Sequence, residues 1–242
     1  MTVLRYTDSD FITPRVTPIG FAVKMSQAHR PYRSTLRAEQ ARATRRAVVD
    51  AARDLFVDLG WSRTTIDAVA ARAEVSRKTV FTSVGGKAAL LKLALDWALV
   101  GDDEAVPMSE RPVIAEMERL TDPRELVARW AQFVADLEVR AAPLADVLLV
   151  AADADPDAAV VHAESERNRL GGATGFVAHL AAIDGLRPGL TTERAVAATL
   201  VLMDPAVYRT LVRQHGWTPT EYAHWIERTA VSELLWDTTP KA

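Results

Sequence analysis

The sequence predicts an all-α chain, a three-helix N-terminal unit closed by a fourth helix and followed by an all-helical C-terminal domain. Three observations carry this. Apolar residues recur at helical spacing through almost every sustained segment. No alternating β-branched run flanks an Asn-Gly or Asp-Gly turn, so a hairpin signal is missing. Gly and Pro stand between many of the periodic segments and punctuate them. With 242 residues, 49% hydrophobic and 25% charged, the chain has enough apolar side chain to fill a sizeable core.

Residues 1–35 hold Pro14, Pro18, Gly20 and Pro31 without a sustained period and are expected to form a flexible arm. Met25, just ahead of Arg30 and Arg33, is a candidate for the native start. A first domain is expected over residues 36–100. Within it, Val48, Ala52, Leu55, Phe56 and Leu59 form the stripe of an amphipathic helix that Gly60 ends. Thr64 and Thr65 are N-cap candidates for a second helix, with Ile66, Val69, Ala70 and Ala73 on its inner face. Ser76 caps a third helix running to about Ser83, Gly85 and Gly86 break it, and Lys87 opens a fourth carrying Leu91, Ala94, Leu95 and Ala98.

The remainder, residues 101–242, begins with the acidic linker Asp102-Asp103-Glu104 and is punctuated by Pro112, Pro123, Pro143, Pro156, Pro188, Pro205 and Pro219. Its stripes are Leu126, Trp130, Phe133, Val134 and Leu137; then Leu144, Val147, Leu148 and Ala151; then Phe176, Leu180 and Ile183. Gly171, Gly172 and Gly175 read as a bend or as a loop between two helices.

A short helix, a turn and a second short helix is the spacing of a helix-turn-helix, whose second helix enters the DNA major groove. Ile66, Val69, Val75, Val80 and Val84 can pack its inside, which leaves Arg77, Lys78, Thr82 and Ser83 facing outward. Arg and Lys reach guanine O6 and N7 or a phosphate, and hydroxyls serve both. Charge agrees: the first hundred residues hold 16 Lys and Arg against 9 Asp and Glu, and the rest hold 13 against 23, so only the first part suits a polyanion.

The stretch Thr64-Thr65-Ile66-Asp67-Ala68-Val69-Ala70-Ala71-Arg72-Ala73-Glu74-Val75-Ser76-Arg77-Lys78-Thr79-Val80-Phe81, followed by Gly86-Lys87-Ala88-Ala89-Leu90-Leu91, resembles the DNA-binding signature of the TetR family. A weaker likeness covers Pro205 to Trp225. The resemblance implies an N-terminal helix-turn-helix DNA-binding domain and a C-terminal effector and dimerisation domain. It implies that Thr65 caps the second helix and touches phosphate, that Ser76, Arg77, Lys78 and Thr79 lie where bases and phosphates are met, and that Lys87 holds a phosphate beside a helix N-terminus. Phe81 stands where Tyr is usual and Ser83 where His or Tyr is common, and both replacements shorten or remove a phosphate-reaching group. Glu74 stands where the family usually has Gly, in a turn of positive φ, and Arg72 or Arg77 could offset its charge.

One helix-turn-helix reads few base pairs, so a homodimer on a palindromic operator of double-stranded DNA is expected. By resemblance the interface comes from Glu193 to Met203, with Val196, Leu200 and Met203, and from Pro219 to Trp236, with Tyr222, Trp225, Ile226, Thr229 and Leu234; the alternative is that these stripes pack within one monomer. A small-molecule effector is expected among Met117, Trp130, Phe133, Phe176 and Met203, which equally suit plain core. The resulting reading is a ligand-responsive transcriptional regulator, with repression the family's commoner habit. The rival is a helical small-molecule-binding protein that has lost DNA recognition, motivated by Glu74, Phe81 and Ser83.

No cofactor or enzyme is expected: the chain has no Gly-rich phosphate loop after a strand, no nucleophile elbow and no HExxH. It has no cysteine, and its histidines lack metal-ligand spacing, so no metal site is expected. The longest apolar run, Val147 to Ala152, is far short of a membrane span, and no secretory segment opens the chain, so a cytoplasmic protein without membrane contact is expected.

Overall fold

The computed structural model describes residues 31–236, with side chains from residue 36 onward. Among them every regular element is helical. Helix α1 (Pro31–Arg63) starts inside the stretch expected as an arm; the rest of that arm, Met25 included, lies outside the described residues. Then come α2 (Ile66–Arg72), α3 (Arg77–Ser83), α4 (Lys87–Val100), α5 (Pro112–Met117), α6 (Pro123–Ala154), α7 (Pro156–Ala182), α8 (Thr192–Leu202), α9 (Pro205–Tyr208, continued as a π turn over Arg209–Gln214) and α10 (Pro219–Leu234). Proline opens α5, α6, α7, α9 and α10, where its missing N–H would have no intrahelical acceptor. No single helix among the described residues is long and apolar enough to cross a membrane.

Two cores share α6. The first joins Val48, Ala52 and Phe56 of α1, Val69 of α2, Val80 of α3 and Leu90, Leu91 and Leu95 of α4 to Leu144, Val147, Leu148 and Ala151 of α6 and Ala158 of α7. The second joins Leu126, Val127, Trp130 and Val134 of α6 to Phe176, Val177 and Leu180 of α7, Ala195 and Leu202 of α8, and Tyr222, Ile226 and Leu234 of α10.

Two expected breaks are absent. Pro143 lies inside α6, and Gly171, Gly172 and Gly175 lie inside α7, neither a loop nor a helix end. A mid-helix proline costs about 3 kcal/mol. Three buried apolar residues on its C-terminal side, Leu144, Val147 and Leu148, each contribute roughly 1.5–3 kcal/mol, so packing outweighs the local penalty.

The α10 stripe also differs from the expected dimer face. Tyr222, Ile226 and Leu234 are fully buried within the monomer in the core shared with α6, and Trp225 stacks on Tyr222. On α8, Val196 and Met203 pack partly against the same core, whereas Val201 is 61% exposed.

Candidate DNA-reading face and ligand cleft

The helix-turn-helix is held by local chemistry. Gly60 has φ +73°, a conformation open to glycine, and breaks the regular dihedrals of α1. Thr64, buried just beyond it, donates its hydroxyl to the carbonyls of Leu55 and Gly60, both 2.9 Å away, and closes the corner. Thr65 then caps α2 by accepting from Ala68 N at 3.1 Å, and Ser76 caps α3 by accepting from Thr79 N at 3.0 Å. Val69 and Val80, both 0% exposed, fix α2 and α3 to the core, with Ile66, Val75 and Val84 partly buried around them.

What α3 turns outward follows from Val80 facing inward. Arg77, Lys78, Phe81 and Thr82 are exposed. Lys78 has no side-chain partner among the described residues. Arg77 pairs with Asp67 at 3.1 Å and lies 5.8 Å above the Phe81 ring, yet its side chain stays 60% exposed. Such an exposed pair is worth about 0–1 kcal/mol, so a phosphate or guanine can displace it. Three hydroxyls are turned onto the helix itself: Thr79 bonds Ser76 Oγ at 2.8 Å, Thr82 donates to Lys78 O at 3.0 Å, and Ser83 donates to Val80 O at 3.1 Å. Thr65 remains exposed.

Lys87 departs from the expected phosphate role. Its ammonium donates to Trp61 O and sits 4.1 Å over the Trp61 ring, and burial holds its pKa below the ordinary lysine value. The residue joins the start of α4 to the end of α1; its charge is engaged inside the domain.

Glu74 adopts φ +54° in the turn between α2 and α3. The two arginines that could have balanced it are committed elsewhere, Arg72 to Asp54 at 2.9 Å and Arg77 to Asp67. A non-glycine residue in this region costs about 1–2 kcal/mol. Glu74→Gly is therefore expected to stabilise the domain by about 0.5–1 kcal/mol after the added unfolded-state entropy of glycine, read as a higher denaturant midpoint. An unchanged or lower midpoint would contradict strain at this turn.

Beside α4 and between α6 and α7 lies an open cleft of about 2200 Å³. Met117, Trp130, Phe133, Phe176 and Met203, the five residues expected around an effector, all line it. Trp130 and Phe176 stack with centroids 4.3 Å apart and planes 14° from parallel. Gly171, Gly172 and Gly175 also line it, and a Cβ at any of them would meet nothing within 4 Å, so this strip of α7 leaves open space beside the cleft.

The polar end of the cleft was not singled out from the sequence. Glu138 is 3% exposed and lines the cleft, and burial, reinforced by Asp204 and Asp146 and opposed by Arg169, pushes its carboxyl up to about 8. The available signal is its place on the Trp130, Val134, Ala141 stripe of α6, where a lone carboxylate interrupts an apolar face. Two residues on, Arg140 donates to the carbonyls of Ala98 at 2.9 Å and Leu99 at 3.2 Å and so caps the end of α4. Lys92 of α4 pairs with Glu164 of α7 at 2.9 Å. The cleft walls are thereby tied to the helix that leads to the reading head. No cluster of metal-ligating side chains occurs among the described residues.

Residues 48–94 match the model of the N-terminal domain of bacterial regulatory proteins, tetR family. Among solved structures, NalD of Pseudomonas aeruginosa, the secondary repressor of the MexAB-OprM multidrug efflux pump, is similar with a TM-score of 0.61 at 19% identity, covering 83% of this chain and 100% of that one. The transcriptional regulator FadR of Bacillus subtilis, solved with stearoyl-CoA, gives 0.62 at 15% identity over 77% and 97%. SmeT, solved with triclosan, gives 0.61 at 17% identity over 83% and 96%. At these identities the likeness is one of fold. Among curated proteins, none matches this chain in sequence.

Proposed function

From a chain whose N-terminal domain belongs to the tetR family of bacterial regulatory proteins, we propose a ligand-responsive transcriptional regulator that binds a palindromic operator as a homodimer and acts as a repressor. The observation that carries this is the outward presentation of Arg77 and Lys78 on a short capped helix anchored by the buried Val80. Arg77 supplies bidentate reading of guanine in the major groove, and Lys78, with the Thr65 hydroxyl, supplies phosphate contacts. Repression and effector binding draw support from the similar proteins, one a repressor and two solved with stearoyl-CoA and with triclosan.

The regulatory step uses the cleft. A ligand between α6 and α7 shifts the reading heads only by its difference in affinity for their two spacings. Arg140 and Lys92, which tie α6 and α7 to α4, are the contacts through which that difference acts. Selection of bound duplexes from a random pool tests the reading. Recovered sequences should share an inverted repeat whose half-sites lie one helical turn, about 34–36 Å, or a multiple of it apart. A folded chain that enriches no sequence would instead be a helical ligand-binding protein without DNA recognition.

A further inference from the structure

Among the described residues, Glu138 is the buried carboxyl in the lining of the cleft for which the fold supplies no partner. Its Oε2 is buried without a hydrogen bond, as is a second unpartnered atom, Arg169 Nε. The surrounding charges are already matched. On α7, Arg169 binds Glu166 at 2.6 Å, Leu200 O at 3.0 Å and Asp204 at 3.4 Å. In the π turn, Arg209 and Arg213 both pair with Asp146 of α6. The neighbouring tyrosines on α9 and α10, both close enough to feel its charge, do not hydrogen-bond it: Tyr222 donates to Leu202 O at 3.2 Å, and Tyr208 packs edge-on against the Tyr222 ring. Four carboxyls, Glu138, Asp146, Glu166 and Asp204, thus face three arginines, and the carboxyl left over is Glu138.

Building on the ligand-binding reading of the same cleft, we propose that Glu138 receives the head of an organic cation, an amine or quaternary ammonium, whose apolar or aromatic body lies along Trp130 and Phe176. A cation draws Glu138 into its charged form and supplies the counter-charge that the fold withholds, whereas an anion finds no free cation there, because Arg169, Arg209 and Arg213 are already paired. Trp130 lies two helical turns from Glu138 on the same face of α6, so head and body are separated by roughly 12 Å. The stacked rings offer that body a flat apolar surface, and the Cβ-free strip at Gly171, Gly172 and Gly175 leaves room opposite. Arg169 Nε adds a donor for an acceptor atom adjoining the cationic centre.

Burial pushes the Glu138 carboxyl up to about 8, with Asp204 and Asp146 adding to the rise and Arg169 opposing it, so the carboxyl is mostly protonated at neutral pH. Cation binding then ionises the carboxyl and releases one proton to solvent. Affinity for a permanent cation should rise with pH until Glu138 is ionised in the free protein.

Titration calorimetry of the full chain with three probes tests this: 4-phenylbutyltrimethylammonium, its neutral tert-butyl isostere, and 4-phenylbutyrate. The wild type should prefer the cation over the isostere by about tenfold or more, bind it more tightly at pH 8.5 than at pH 6, and release about one proton, read from buffers of different ionisation enthalpy. Glu138→Gln should remove that preference and the proton release while leaving the isostere's affinity unchanged. Gly172→Leu should weaken both, since it fills the space for the body. Equal binding of cation and isostere by the wild type, no proton release, or a preference for 4-phenylbutyrate overturns the cationic class and leaves the cleft as a ligand site. The wild-type arms decide this even if Glu138→Gln fails to fold. If neither the probes nor a neutral apolar dye binds the folded chain, the cleft reading itself falls, and the proposal with it.

Discussion

Simultaneous replacement of Arg77 and Lys78 by alanine is expected to weaken operator binding by about 2–4 kcal/mol, roughly 30- to 1000-fold, without lowering stability. Both side chains are exposed and support no buried contact. The single variants should separate two kinds of contact. Arg77→Ala relaxes base preference at one position of each half-site, and Lys78→Ala weakens all sequences about equally and reduces the salt slope by about one. Before it can reach a base, Arg77 must leave Asp67 and the Phe81 ring. That exposed pair costs at most about 1 kcal/mol to break, so Asp67→Ala should raise affinity severalfold. Lys87 is outside this scheme because its ammonium already lies against Trp61. Filter-binding or anisotropy titrations at several salt concentrations check all of these, and identical behaviour of the Arg77 and Lys78 variants would refute the division of roles.

The second large effect concerns stability and pH. In the unfolded chain Glu138 titrates near the ordinary glutamate value of 4.5, and in the fold near 8. Between those values the native state holds a proton that the unfolded state does not, so stability falls as pH rises through this window and levels off above it. Each tenfold difference in proton affinity between the two states is worth about 1.4 kcal/mol, so the loss across the window approaches about 5 kcal/mol. Glu138→Gln, isosteric and uncharged, should remove this dependence and be the more stable protein at pH 9 by a few kcal/mol. Denaturant unfolding of both chains at pH 5, 7 and 9 measures it. A wild type with the same pH profile as the glutamine variant would mean that Glu138 is solvated in the native state.

The parts of this fold that were legible in the sequence are those fixed by near neighbours. Ser76 three residues before Thr79, Thr65 three before Ala68 and Gly60 at the end of an apolar stripe set caps and breaks by local hydrogen bonds and dihedral limits, and they lie where the pattern placed them. The aromatic lining of the cleft was also legible, because Trp130, Phe133 and Phe176 lie on the apolar stripes of α6 and α7, which face the interior. Features decided by distant contacts were not. Pro143 reads as a break, but burial on both sides carries α6 through it. Tyr222, Ile226 and Leu234 form a stripe that would suit a partner chain, but α6 of the same chain takes it. Lys87 reads as a free cation until Trp61, 26 residues away, lies under it. Glu138 shows in the sequence only as a carboxylate on an apolar stripe; its lack of a partner is set by what the rest of the chain fails to place beside it.

The reading face is tested most directly by dimethyl sulfate probing of a bound duplex, which methylates guanine N7 in the major groove and adenine N3 in the minor. On a sequence recovered by selection, guanine N7 protection is expected in two patches on one face of the duplex, one helical turn or a multiple apart, both lost with Arg77→Ala. Protection confined to adenine N3, or none under saturating protein, would mean that α3 does not enter the major groove.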